Sequence, residues 1–162
     1  MRIALAADHA GAEMKSELMA RLVPLGHELI DLGGDGSNLE DDYPDYSRAL
    51  GLAILEGRAD RGILVCGSGV GASVAASKIP GIRAGLCHDA YSAGQGVEHD
   101  DMNVLALGAR VIGIETAVSC AESFLTATFS GAPRHVRRVG KIRAIEQEAA
   151  RLEAVKRVNP NR

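Results

Sequence analysis

The chain has 162 residues, close to the usual size of one domain and long enough to bury a real core, with a formal net charge of −3. No basic run precedes the C-terminal segment and no apolar run reaches the length of a membrane span, so neither a nucleic-acid partner nor a membrane is expected. The apolar start is too short for a signal peptide, and three scattered cysteines without CxxC or zinc spacing imply neither disulfides nor structural zinc, so a cytoplasmic protein is expected.

In chain order, residues 3–7 form a first strand with Asp8-His9-Ala10-Gly11 as its exit turn. A helix follows from Ala12 to about Leu25, with Met14, Leu18 and Leu22 as one apolar stripe, and Gly26 stops it. Residues 27–32 are a second strand. Residues 33–42 are a loop too rich in Gly and Asp for a helix. Tyr43-Pro44-Asp45 opens a helix to about Glu56. After it, the apolar run Ile63-Leu64-Val65-Cys66 reads as a third strand buried on both faces, and the glycine-rich turn Gly67-Ser68-Gly69-Val70-Gly71 as the entry to a helix from Ala72 to Lys78. Residues 82–87 are a fourth strand closed by His88 and Asp89, 90–98 a helix, 104–107 a fifth strand and 115–128 a helix.

This alternation predicts a doubly wound, Rossmann-like α/β/α sandwich on a five-stranded, mostly parallel sheet. Residues 1–158 are expected to form one domain, and 159–162 a disordered tail. Ligands of such sheets bind beyond the C-terminal strand ends, where Asp8, His9, Cys66 to Gly71, His88 and Asp89 all fall. Cys66 could be a small buried hydrophobe, the common fate of a free cysteine. Glycines at 67, 69 and 71 could instead converge amides on an anion beside the sulfur, and the strand-end position favours a site residue. His88 and Asp89 could line the site, but capping the helix at Ala90 is the simpler role.

From Arg134 to Arg143 the chain is basic, and Ile142, Ile145, Ala149, Leu152 and Val155 then recur at helical spacing. A solvated face explains most charge runs. The narrow stripe on the last element suits contact with a second subunit. A strand-end cysteine, histidines at 9 and 99 and a basic cluster together suggest proton transfer on a phosphorylated small molecule. A competing fingerprint, Gly67-x-Gly69-x-x-Ala72 with Asp89 beyond it, fits a dinucleotide site. It follows the third strand rather than the first, which argues against it.

Asp8–Gly11 (DHAG), Asp42–Tyr46 (DYPDY), Cys66–Gly71 (CGSGVG), Lys78–Ala84 (KIPGIRA), Cys87–Ala93 (CHDAYSA), Glu98–Gly113 (EHDDMNVLALGARVIG) and Arg134–Arg138 (RHVRR) together resemble the type B ribose-5-phosphate isomerase (RpiB/LacAB) family of sugar-phosphate isomerases. The likeness runs in register to about Ala149. It implies an aldose–ketose isomerase in which Cys66 takes the C2 proton and returns it to C1 through a cis-enediolate. By the same resemblance the amides of Gly67, Ser68, Gly69, Val70 and Gly71 hold the intermediate, the Ser68 hydroxyl contacts substrate and His99 opens the furanose ring. It places Asp8 beside the sugar hydroxyls and makes His9, Arg110, Arg134 and Arg138 phosphate contacts. A homodimer or dimer of dimers with sites between subunits is implied, with no metal and no cofactor. Some members use a glutamate on the following helix as base, but residues 68–78 contain no acid, which leaves Cys66. Asp100 stands where many members have a substrate-contacting Asn, so a six-carbon sugar 6-phosphate (allose or galactose series) or a tetrose phosphate stays open beside ribose 5-phosphate.

Overall fold

The structure, a computed structural model, describes residues 1–158, with side chains described as far as residue 154. The expectation for residues 159–162, and that for the Val155 side chain, lie outside this range. The chain divides into two compact units, Met1–Phe129 and a second that begins at Ser130.

The first unit holds five strands, β1 (Arg2–Ala7), β2 (Glu28–Asp31), β3 (Arg61–Cys66), β4 (Ala84–Leu86) and β5 (Val104–Gly108), in the order β2-β1-β3-β5-β4, every pairing parallel. Between them run α1 (Ala12–Leu22), α2 (Tyr43–Leu55), α3 (Val70–Ala76) and α4 (Ala90–Asp100), and α5 (Ile114–Thr126) follows β5. The expected architecture is therefore present, with a sheet that is wholly parallel.

Strand periodicity explains the two cores. Ile3, Leu5, Ile63, Val65, Leu105 and Leu107 face a cluster with Met14, Leu18 and Leu22 of α1 and Phe124 of α5. Ala4, Ala6, Leu64 and Cys66 face the opposite cluster with Leu50 and Ala53 of α2 and Ala72 and Ala76 of α3. The apolar stripe expected on α1 is buried in full. Small side chains on the second face let α2 lie close. A Cβ on Gly62 would meet the Leu50 side chain within 3.0 Å.

Boundaries moved where end chemistry overrides periodicity. The first helix becomes a turn of 3-10 helix at Val23–Leu25, where Pro24 sits, and Gly26 then closes it at φ +79°. Edge strand β4 is shorter than the expected 82–87: at its start the Arg83 amide donates to the Asn103 side chain (2.8 Å), and beyond its end His88 accepts a hydrogen bond from the Gly108 amide (3.2 Å).

The second unit is dominated by α6 (Pro133–Val158), a helix of 26 residues that takes in both the basic segment and the apolar stripe. At its start Ser130 Oγ lies 2.6 Å from His135 Nδ1. Ile142, Ile145 and Leu152 are exposed along it.

Candidate active site

Chain order places β2 and β3 on opposite sides of β1, so a crevice opens at the carboxyl ends of β1 and β3. Asp8 leaves β1 there and Cys66 ends β3, with the Asp8 amide donating to Val65 O. A cleft of about 380 Å³ occupies this crevice. It is lined by Asp8, His9, Ala10, Tyr43, Cys66, Gly67, Ser68, Gly71, Arg110 and Val111.

Cys66 is 4% exposed and reaches the cleft through its sulfur, which accepts a hydrogen bond from the Gly69 amide at 3.0 Å. Gly69 stands at φ +79°, and a Cβ there would lie 2.9 Å from the Leu107 carbonyl carbon, so only glycine fits without strain. The Val70 amide donates to Ser68 Oγ (3.3 Å). Of the expected five-residue nest, Gly69 and Val70 thus serve the turn itself, whereas Gly67, Ser68 and Gly71 line the cleft.

Asp8 is buried, and its Oδ1 accepts from the amides of Ala10 (3.0 Å) and Gly11 (3.1 Å), which shapes the turn that carries His9. His9 donates its backbone amide to Asp41 Oδ1 (3.1 Å), and its Nδ1 lies 2.6 Å from the same oxygen. Burial pushes the Asp41 carboxyl up, but hydrogen bonds from the His9 ring, the His9 amide and Tyr46 outweigh it and hold the group below the ordinary carboxylate range. The Tyr46 phenol is held above its ordinary range, chiefly by its hydrogen bond to Asp41.

Arg110 follows β5, its amide bound to Gly67 O (2.9 Å), and its side chain runs beside Gly67. His9 and Arg110 thus supply cationic and hydrogen-bonding capacity to a cleft whose floor carries the thiol. Sequence reasoning passed over two residues here. Tyr43 covers the turn because Gly71 leaves room, a Cβ at 71 falling 2.7 Å from its ring. Asp41 sits in a loop of acids that look alike in sequence. The signal for Tyr43 was its place in the Asp42–Tyr46 motif, and nothing local marked Asp41.

His99 and Asp100 are placed differently. Helix α4 leaves the carboxyl end of β4 and runs back against the strand direction, so its last turn lies near the start of β3, where Asn103 O accepts from the Gly62 amide (3.0 Å). From Gly62 to Cys66 is about 13 Å of strand. His99 Nδ1 is 2.8 Å from Gln95 Nε2, Asp100 is exposed, and Arg83 clamps the end of the helix through the Asp101 carboxylate (2.7 Å) and carbonyl (2.6 Å). One chain therefore does not bring His99 and Cys66 together. Arg134 and Arg138 belong to α6 in the second unit, both exposed, with Arg134 Nε donating to His135 Nε2 (2.9 Å). Asp89 caps α4 by accepting from the Ser92 amide (2.7 Å), the simpler of its two anticipated roles. Among the described residues no helix is long and apolar enough to cross a membrane.

Comparison with known proteins agrees with this geometry. The model of the Ribose/Galactose Isomerase family matches residues 3–142. Ribose-5-phosphate isomerase B of Escherichia coli is 47% identical over 146 residues, covering 90% of this chain and 97% of the relative. D-erythrulose-4-phosphate isomerase of Pectobacterium atrosepticum is 40% identical over 131 residues, covering 81% and 86%. The solved structure of ribose-5-phosphate isomerase B from Mycoplasma genitalium with bound ribulose 5-phosphate superposes with a TM-score of 0.85 at 34% identity, over 91% of this chain and 97% of that one. A strand-end thiol at the switch point of a parallel sheet, a family model over most of the sequence and relatives matched almost end to end lead to one conclusion: the chain is an isomerase of the ribose/galactose isomerase family.

Proposed function

We propose that this protein interconverts D-ribose 5-phosphate and D-ribulose 5-phosphate through a cis-enediolate, with Cys66 as the base. The observation that carries this reading is the Cys66 sulfur, held by the Gly69 amide on the floor of a cleft that His9 and Arg110 also line. The thiolate takes the C2 proton of the open-chain aldose and returns it to C1, while the hydroxyl proton passes from O2 to O1, so atoms balance with no other reactant. Gly67, Ser68 and Gly71 line the side of the cleft where amides and the Ser68 hydroxyl can meet the enediolate oxygens. Asp8 faces the sugar hydroxyls, and His9 and Arg110 take the phosphate.

His99 opens the furanose ring of the substrate that is bound beside the thiol of a second copy. The support for this assignment is the direction of α4, which carries His99 to the opposite end of the sheet from its own Cys66. The working unit is then a homodimer, or a dimer of dimers, with the exposed stripe of α6 as a contact surface.

The test is isomerase activity of the wild type and of Cys66→Ala on ribose 5-phosphate. Robust turnover in the wild type and a loss of at least about a thousandfold in the variant are expected for removal of an essential base. Unchanged turnover in the variant would remove Cys66 from the chemistry. A second reading keeps the chemistry and changes the sugar, favoured by the likeness to a tetrose-phosphate isomerase and by the carboxylate at Asp100. Erythrose 4-phosphate and allose 6-phosphate beside ribose 5-phosphate decide between them by kcat/KM.

A further inference from the structure

We propose that Asp41 is a positioning residue that fixes the tautomer and ring orientation of His9, so that Nε2 is the nitrogen presented to the phosphate end of the cleft. The proposal rests on the isomerase reading for the identity of the ligand and on geometry for the rest. A single oxygen, Asp41 Oδ1, stands 3.1 Å from the His9 amide and 2.6 Å from His9 Nδ1, and so grips one residue by both its backbone and its ring. An ionised carboxylate only accepts hydrogen bonds, so the hydrogen on that side resides on Nδ1. The Asp8 turn fixes the backbone from the other side.

Asp41 is itself held. Its side chain is only 7% exposed, a costly place for a carboxylate unless donors surround it, and the His9 amide, the His9 ring and the Tyr46 hydroxyl supply them. The helix it precedes has no need of it. The N-cap of α2 is Asp42, and no side chain makes a capping hydrogen bond there. A buried acid of no use to its own helix, joined to a histidine that lines the cleft, is the usual arrangement of an outer partner that orients a ligand-binding imidazole.

The experiment compares wild type, Asp41→Asn, His9→Ala and the double variant. It measures KM and kcat for ribose 5-phosphate, affinity for inorganic phosphate by calorimetry, and the His9 imidazole tautomer by ¹⁵N NMR. Asp41→Asn should raise KM and weaken phosphate binding about tenfold while kcat changes by less than about threefold, and the same substitution in His9→Ala should change neither. The wild-type spectrum should show His9 protonated on Nδ1 and bonded to a carboxylate. Wild-type phosphate affinity in Asp41→Asn, an equal loss in the His9→Ala background, or a wild-type His9 without the Nδ1 proton would each overturn the proposal. Absence of turnover on ribose 5-phosphate with the phosphate and NMR results intact would overturn the ribose 5-phosphate reading and leave this one standing.

Discussion

Cys87 and Cys120 lie in the same apolar cluster as Phe124, and burial, with Cys120 nearby, pushes the Cys87 thiol up to about 11. Burial likewise raises Cys120. Cys66 is the one cysteine that lines the cleft, with an amide hydrogen bond at its sulfur. Iodoacetamide at pH 8 should therefore alkylate Cys66 first, with activity lost in step with one label per chain; mass spectrometry that finds Cys87 labelled first would contradict this. The unfolded Cys87 thiol ionises near 9.0 while the folded one stays protonated to about 11, so this group's contribution is complete below pH 9 and is lost as pH rises toward 11. Denaturation between pH 8 and 11 should show a flatter alkaline decline in Cys87→Ala. At this scale, Asp8, His9 and Cys66 were legible because each ends a strand or begins its exit turn. Asp41 was not, because an acid in a polar loop carries no local sign of whether its carboxylate meets water or a histidine.

At the scale of elements, the turn from β3 to α3 is the least replaceable piece. Gly69 joins a left-handed backbone to a close approach on Leu107, and its amide is the donor to Cys66. Gly69→Ala should cost more than about 2 kcal/mol in urea denaturation, from the left-handed conformation and the contact together, and should lower kcat as the donor shifts. Retention of full stability would mean that the turn has another conformation within easy reach. The alternation of strands and helices was readable from apolar runs, and the stripe on α1 from its spacing. What the sequence could not place were the ends. Helix α3 starts at Val70, two residues earlier than periodicity suggested, because the glycine turn already provides its first residues. Helix α6 runs unbroken from Pro133, since a basic face is as compatible with helix as with loop and apolar spacing could not separate them.

For the whole molecule, the direction of α4 favours a proposed chemistry divided between two copies. If Cys66 of one copy works with His99 of another, a mixed dimer of Cys66→Ala and His99→Ala contains one site with both lesions and one with neither. Two inactive variants, unfolded and refolded together in equal amounts, should then recover about a quarter of wild-type activity, because half the dimers are mixed and each has one working site. No recovery, with mixed dimers demonstrated by mass spectrometry, would place both residues' function within one chain. The fold class was plain from the sequence, and in a parallel sheet it already puts residues just before the fifth strand, His99 among them, at the amino end, away from Cys66. A centre split in this way also ties turnover to encounter. If the proposed division holds, each chain carries a thiol that is idle until a second copy arrives, and dilution below the assembly constant should switch the enzyme off without touching a single bond within the fold.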